Sequence, residues 1–211
     1  MNSMHGPGVG SSVPLDPKRQ AILRHARKAF VSDGYAATRI EPIAREAGVS
    51  TATLYALFDG KAELFSAVID DAGADFAYQM TRVGAIEGDA RQQLTTFADA
   101  YAGFMSDPFV RAVFRLVMAE RPRFQAVALR FFEKGRETFG ATLIAMLVTL
   151  SKAGSLRPIE RPSRAAGHLM GMIEHPVFFV PLVTGDEIQV RRTNAEVVED
   201  AVETFLARYG A

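Results

Sequence analysis

The stretch from Ile40 to Phe65 constrains the fold of this chain most, because its small and apolar residues are spaced for two short helices joined by a glycine turn. Ala44 stands where two helices approach closely, Gly48 follows where the chain turns, and Leu54 returns an apolar side chain to the same core. The predicted buried set is completed by Ile43, Ala47, Val49 and Leu57. This spacing is typical of a helix-turn-helix.

Capping residues support the same interpretation. Thr38 and Glu41 have the spacing of a capping box at the start of the first helix. Gly48 is suited to the left-handed conformation that closes this helix, and Ser50 is then placed to cap the second helix. An ordinary surface helical hairpin is the alternative, but caps, turn and core spacing together favour the helix-turn-helix.

The second helix of such a motif lies in the major groove of DNA, so its outward residues are candidate DNA contacts. The predicted DNA-facing residues of this helix are Ser50, Thr51, Ala52, Thr53, Tyr55 and Ala56. Thr and Ala side chains can meet thymine methyl groups, and Thr hydroxyls can reach base edges. Because this helix has no Arg, Lys, Asn or Gln, we expect sparse direct readout, supplemented by DNA shape and phosphate contacts.

The same region resembles the TetR family of bacterial transcriptional regulators. The resemblance covers residues 22 to 68, through ILRHARKAF, GYAATRI, IAREAGVSTATLY and a closing F-x-x-K-x-E-L-F. RLVMAERPRF and GHLMGMI further resemble the C-terminal ligand domain of the AefR-like branch. Three positions depart from the family pattern, namely Ala56, Leu57 and Gly60.

The resemblance also implies roles for individual residues. It implies that Tyr55 and Lys61 bind DNA phosphates and that Thr38 contacts a phosphate from the start of its helix. Arg39 is expected to reach a groove. The alternatives are a core aromatic role for Tyr55 and a solvated charge for Arg39.

Composition limits the partners. The chain has 24 basic and 24 acidic residues, so its net charge predicts no polyanion partner, but residues 17–62 contain eight basic and four acidic side chains. A local surplus of this kind is compatible with salt-sensitive phosphate contacts. The absence of cysteine excludes disulfides and thiolate chemistry, and no pattern indicates a metal or other cofactor. We expect a cytoplasmic protein without a membrane partner, whose residues 1–15 form a disordered arm.

Hydrophobic periodicity predicts an all-α protein of about nine helices. Residues 16–62 should form a three-helix DNA-binding domain, and residues 63–211 a helical ligand-binding and dimerisation domain. The first helix begins at Asp16-Pro17 and ends at Gly34. Later helices are predicted at about 61–82, 94–105, 109–120, 123–154, 165–182 and 194–209, with 123–154 as one long helix. No linker separates the domains, so helix 61–82 should pass between them.

The second domain is rich in aromatic residues and methionine, and the AefR-like resemblance suggests that they line a ligand cavity. The candidates are Phe97, Tyr101, Phe104, Met105, Phe114, Met118, Phe131, Phe132, Phe139, Met146, Met170, Ile173, His175, Phe178 and Phe179. Such side chains suit an apolar or aromatic ligand, although each could instead fill the core. Polar residues that could orient a ligand are Arg115, Glu120, His168, Glu174 and His175.

The predicted helix 165–182 is apolar nearly all round, and helix 194–209 has a broad apolar face. Together they need more covering surface than one domain offers, which predicts a homodimer through these two helices. Its two recognition helices would address a pseudo-palindromic operator in double-stranded DNA. The sequence contains no convincing set of catalytic residues, so we expect that the protein is not an enzyme.

The sequence therefore predicts a homodimeric regulator, most simply a repressor released from DNA by a small-molecule effector. One alternative is a helical small-molecule binding protein with weak or lost specific DNA binding. The other is an enzyme on a helical scaffold.

Overall fold

The computed structural model describes residues 16–81, 87–185 and 192–211. The predicted disordered arm at residues 1–15 lies outside these residues. Within them the chain forms nine helices and no strand, which confirms the predicted all-α class. The first six helices are α1 (Pro17–Ala37), α2 (Ile40–Glu46), α3 (Thr51–Leu57), α4 (Gly60–Thr81), α5 (Ala90–Met105) and α6 (Pro108–Glu120).

Two of the remaining three helices contain a π turn. Helix α7 runs through Gln125–Gly135, the π turn Arg136–Gly140 and Ala141–Lys152. Helix α8 runs through Pro162–Glu174, the π turn His175–Phe179 and Val180–Thr184, and α9 spans Asn194–Tyr209. The predicted helix at 123–154 is thus a single element but not a regular one, and α8 begins three residues before the predicted start.

Helices α1, α2 and α3 form a small core around the predicted glycine turn. Ala44 and Leu54 are fully buried, and Gly48 adopts a φ of 69°. The backbone N–H of Val49 donates to the Ala44 carbonyl at 3.0 Å across the turn. The side chain of Ser50 caps α3 by accepting from the Thr53 N–H at 3.0 Å. The predicted turn and the predicted α3 cap are therefore confirmed.

The predicted capping box at the start of α2 is wrong. The N-cap residue of α2 is Arg39, and no side chain makes a capping hydrogen bond there. Thr38 instead donates its hydroxyl to the carbonyl of Gly34 at 2.6 Å. Gly34 itself has a φ of 73° and lies at a kink inside α1, so the helical turn continues past the predicted stop to Ala37.

The positive φ of Gly48 gives a stability prediction. Gly48→Ala should lower the free energy of unfolding by about 1–2 kcal/mol, because an L side chain is strained in the left-handed region. No atom lies within 4 Å of the added Cβ, so backbone strain alone causes the loss. Gly103→Ala is the control: Gly103 is helical and equally uncrowded, and this change should stabilise the protein by about 0.5–1 kcal/mol. Urea unfolding of both variants followed by circular dichroism measures the difference, and equal shifts would contradict the assignment.

Helix α4 connects the N-terminal helices to the C-terminal ones. The guanidinium of Arg27 in α1 pairs with Asp75 at 2.8 Å and with Asp71, both in α4. From the other side, Arg130 in α7 pairs with Asp70 of α4 at 3.0 Å. Helix α4 is thus held by ion pairs to α1 on one side and to α7 on the other.

An aromatic junction cluster, formed by Phe30, Tyr35, Phe65 and Phe124, lies where the two parts meet. Phe65 of α4 packs with Tyr35 at a centroid distance of 5.2 Å and with Phe124, just before α7, at 4.6 Å. Tyr35 and Phe124 pack edge to face at 5.0 Å. The start of α7 is therefore in direct contact with α1, the helix that packs against the helix-turn-helix.

Helix α8 is the one described helix that is long and apolar enough, by length and composition, to cross a membrane. Its most apolar window has a mean hydropathy of 1.2, and 28% of that window is buried. In this fold α8 packs against α5, α7 and α9. The low buried share leaves much of its apolar surface uncovered within one chain, including Phe179 and Val183.

Candidate DNA-binding surface and ligand cavity

Helix α3 presents a continuous exposed surface away from the core. This surface, here called the recognition surface, consists of Thr51, Ala52, Tyr55 and Ala56, all of which are exposed. The Tyr55 side chain is 52% exposed, so it is not a core aromatic. Ser50 is also exposed, but its hydroxyl is engaged with the Thr53 backbone and hydroxyl at the α3 cap.

Two predicted DNA contacts at the start of α2 differ in accessibility. Arg39 is exposed. Thr38 is only 3% exposed, and both its hydroxyl and its backbone N–H donate to the carbonyl of Gly34. Both donors of Thr38 are thus engaged inside the fold, and its predicted phosphate contact stays a prediction.

Lys61 lies beside the aromatic junction cluster. Its ammonium donates to the carbonyl of Ala36 at 3.0 Å and lies 4.7 Å from the Tyr35 ring centroid. The guanidinium of Arg123 lies 4.8 Å from the same centroid. Partial burial, and then the charge of Arg123, lowers the pKa of Lys61. Because an ammonium has three hydrogens to donate, Lys61 can keep this contact and still reach a phosphate.

A cavity of 460 Å³, here called the aromatic cavity, lies among the C-terminal helices. Its wall is made by α4, α5, α6, α7 and α8 and is mostly apolar. The aromatic wall residues are Phe76, Tyr101, Phe104, Phe114, Phe131, Phe132, Phe139 and Phe178. This volume is in the usual range for a small-molecule site.

The structure separates the predicted ligand-binding residues into two groups. Those in the cavity wall are Tyr101, Phe104, Met105, Phe114, Phe131, Phe132, Phe139, Met170 and Phe178. Those outside the wall are Phe97, Met118, Met146, Ile173, His175 and Phe179. Phe97 and Ile173 are buried in the core instead, whereas Met118, His175 and Phe179 are exposed. Met146 is partly buried and packs on the core away from the cavity.

Of the polar residues predicted to orient a ligand, Glu174 lies in the wall, and the other four do not. Arg115 points to the carbonyl groups of Pro181 and Leu182, with N–O distances of 3.5 Å. His168 is hydrogen-bonded to the Tyr209 hydroxyl at 2.8 Å. Of these five polar side chains, only Glu174 is therefore positioned to contact a ligand in the cavity.

Sequence reasoning missed several wall residues, most of which are small or charged. The missed wall residues are Gly73, Phe76, Lys134, Gly135, Arg136, Thr138, Gly140, Ile144, Ser163, Ala166 and Gly167. The glycines could have been recognised from the sequence. A glycine inside a helix lowers stability, so its presence usually indicates that a side chain there would block a close packing contact or a binding site. Gly135, Gly140 and Gly167 all fit this description.

Both π turns border the aromatic cavity. The π turn of α7 contributes Arg136, Thr138, Phe139 and Gly140 to the wall. The π turn of α8 contributes Phe178, and Glu174 immediately precedes it. Such turns are frequent at functional sites, because an extra residue in the turn redirects the side chains that follow.

One hydrogen-bonded pair supplies polarity to the wall. The Tyr101 hydroxyl donates to the Glu174 carboxylate. Tyr101 is fully buried, and burial, with the nearby negative charge of Glu174, raises its pKa above the ordinary range. The hydroxyl therefore stays protonated and acts as a donor to Glu174 at neutral pH.

Comparison with known proteins supports both parts of this arrangement. Residues 22–68 match the bacterial regulatory proteins of the tetR family, and residues 92–211 match the family described as AefR-like transcriptional repressor, C-terminal domain. A regulator of the TetR family from Mesorhizobium loti MAFF303099 is 28% identical, covering 92% of this chain and 97% of its own, with a TM-score of 0.77. The flavonoid-responsive regulator FrrA is 26% identical, with coverages of 92% and 97% and a TM-score of 0.71.

A curated relative matches over a shorter length. The transcriptional activator FasR of Mycolicibacterium smegmatis is 32% identical over 96 residues, which are 46% of this chain and 44% of that protein. This chain thus spans less than half the length of FasR. The C-terminal match alone covers more than half of the chain, and the N-terminal match contains the helix-turn-helix. The chain therefore belongs to the TetR family of bacterial transcriptional regulators, with an AefR-like C-terminal domain.

Proposed function

We propose that this chain is a homodimeric repressor that binds a pseudo-palindromic operator and is released from it by a small apolar or aromatic effector. One observation carries the proposal: an exposed recognition surface and a 460 Å³ aromatic cavity occur in one chain, with α4 in contact with both parts. The repressor assignment is supported by the match of residues 92–211 to a repressor domain.

The exposed side chains support DNA binding through phosphates and shape more than through base edges. The recognition surface offers two small apolar residues, one threonine and one tyrosine, and none of these forms a bidentate base contact. Residues 16–62 would act as the DNA-binding unit and residues 63–211 as the effector and dimer unit. Action on chromosomal DNA implies a cytoplasmic location.

The composition of the wall supports an apolar or aromatic effector. Pairs such as Phe114 and Phe178, with centroids 4.8 Å apart, present ring edges and faces to the cavity. Partly buried Met170 adds an adaptable side chain. The description of FrrA as flavonoid-responsive fits an effector of this aromatic kind.

The contacts of α4 support a mechanism for release. Gly73 and Phe76 of α4 lie in the cavity wall, while Phe65 of the same helix packs on Tyr35 beside the helix-turn-helix. An effector that binds more tightly when α4 is displaced will shift the dimer toward a spacing that no longer fits the operator. Equal dimer geometry with and without effector would contradict this mechanism.

The uncovered apolar surface of α8 supports a dimer rather than a membrane helix. Phe179 and Val183 are more than half exposed, and α8 packs beside α9 to form one two-helix face. A second copy would cover this face by two-fold symmetry. Exposed Arg164, His168 and His175 on α8 suit a partly polar protein interface better than lipid.

Selection of the purified protein against a random duplex library at near-physiological salt tests the proposal. A recovered motif with two-fold symmetry would support both DNA regulation and the dimer. Weak, salt-sensitive binding without a recovered motif would contradict the proposed repressor and favour the alternative, a small-molecule binding protein. Because FasR is described as an activator, transcription from the recovered site should then be measured with and without the protein, and stimulation would contradict repression.

Filling the aromatic cavity should separate effector response from DNA binding. Gly167 lies in the wall with no atom within 4 Å of an added Cβ, so Gly167→Phe places a ring in the cavity. We expect effector binding to fall by at least about tenfold, the equivalent of 1.4 kcal/mol, while operator affinity stays unchanged. Gly103→Phe, at an equally open position outside the wall, is the control and should leave both unchanged. Isothermal titration calorimetry and fluorescence anisotropy measure the two affinities, and an unchanged effector affinity would place the ligand elsewhere.

A further inference from the structure

Among the residues that the structure describes, Glu174 is the one acidic group in the wall of the aromatic cavity. From these residues its carboxylate accepts one hydrogen bond, donated by the hydroxyl of Tyr101. Within the described residues it forms no ion pair. The raised pKa of Tyr101 keeps that hydroxyl protonated, so the hydroxyl satisfies one lone pair without neutralising the charge.

This arrangement leaves a negative charge partly buried beside aromatic rings. Removing a carboxylate from water is unfavourable unless a cation or further donors compensate it. The nearby rings add a preference of the same sign, because aromatic faces attract cations. Phe139 packs on Tyr101 with centroids 5.2 Å apart, which places a ring next to the hydrogen-bonded pair.

The exposed charges around the cavity do not reverse this preference for a cation. The aromatic cavity shares Gly73, Phe131 and Lys134 with a neighbouring polar groove of 430 Å³. Besides Glu174, the charged side chains of the cavity wall are Lys134 and Arg136, and the groove adds Arg130 against Asp70, Glu133 and Glu137. Lys134 and Arg136 are exposed, whereas Glu174 is partly buried. The six side chains other than Glu174 are all exposed, three basic and three acidic, so their charges offset one another and are screened by solvent.

We propose that the aromatic cavity selects a lipophilic cation, in which a protonated amine lies beside Glu174 and an aromatic or aliphatic body contacts the phenylalanine wall. The inference rests on the proposed effector function and names the chemical class of the effector. An amine placed there completes the hydrogen bonding of the carboxylate and replaces the water that burial removes. An anionic compound of the same shape would instead place like charges together.

Three probes with one body test the charge preference: 4-phenylbutylamine, 4-phenylbutanol and 4-phenylbutanoate, titrated by calorimetry at pH 7 into the full chain. We expect the amine to bind about tenfold more tightly than the alcohol, and the carboxylate to bind most weakly. Glu174→Gln keeps the shape of the side chain but removes its charge, so the preference for the amine should disappear while alcohol binding stays the same.

Two further variants serve as controls. Glu137→Gln removes an exposed carboxylate of the neighbouring groove and should leave the preference intact. Tyr101→Phe keeps the charge of Glu174 and frees one lone pair, so the preference for the amine should remain, and this variant is informative even if Glu174→Gln unfolds. Equal binding of all three probes, or tightest binding of the carboxylate, would overturn the cationic class while leaving a ligand cavity. Binding of none would remove the effector site itself, and with it the effector part of the proposed function.

Discussion

Replacing Phe65 by alanine is expected to lower the free energy of unfolding by about 3–5 kcal/mol. The side chain is 1% exposed and packs with Phe30 at a centroid distance of 5.3 Å, with Tyr35 at 5.2 Å and with Phe124 at 4.6 Å. Truncation therefore removes three aromatic contacts and leaves a cavity at the junction of both parts of the chain. Since small domains are stable by roughly 5–15 kcal/mol, this one change removes a large share of the total.

Urea unfolding followed by circular dichroism at a helix-sensitive wavelength measures the loss. Phe132→Ala is the matched control, because that ring is 66% exposed, and its removal should change stability by no more than about 0.5 kcal/mol without ligand. A loss below about 1 kcal/mol for Phe65→Ala would mean that the aromatic junction cluster is not packed as described.

The helix-turn-helix could be predicted from sequence because its determinants are local. Ala44, Gly48 and Leu54 are fixed by spacing alone, and Ser50 needs only its neighbour three residues on to form the α3 cap. Thr38 shows where local reasoning fails. Its hydroxyl had two partners within reach, the start of α2 and the carbonyl of Gly34 behind it. In the structure the hydroxyl lies 2.6 Å from the Gly34 carbonyl, four residues earlier, so this local bond forms in place of the cap.

The cavity could be predicted only in outline, because helical periodicity assigns a face to a residue but not its neighbour on the next helix. Phe97 and Phe104 share one face of α5, yet only Phe104 reaches the cavity. The π turns add a second cause. One extra residue in a turn rotates all later positions by about 100°, so a uniform period through α7 misplaces Met146. Met118, expected in the wall, lies outside it and is 51% exposed.

Replacing Tyr55 by phenylalanine is expected to weaken binding to every DNA sequence by a similar factor. The ring is 52% exposed on the recognition surface, so loss of its hydroxyl leaves the fold intact. If the hydroxyl donates to a phosphate, its removal costs about 1 kcal/mol in each protomer. In a dimer the two losses add, which gives about a 30-fold weaker complex. Fluorescence anisotropy at fixed salt, with the selected operator and with a scrambled duplex, measures both affinities.

Tyr78→Phe is the matched control for this experiment. Tyr78 is also an exposed tyrosine, but it lies near the far end of α4, roughly 26 Å along the helix from Lys61, so its removal should leave DNA affinity unchanged. A parallel loss on operator and scrambled duplex with Tyr55→Phe would assign the hydroxyl to the phosphate backbone. A loss confined to one base pair of the operator would show instead that Tyr55 reads a base edge. In that case the sparse readout inferred for α3 would be wrong, because its single tyrosine would carry the sequence preference that no Arg, Lys, Asn or Gln is present to supply.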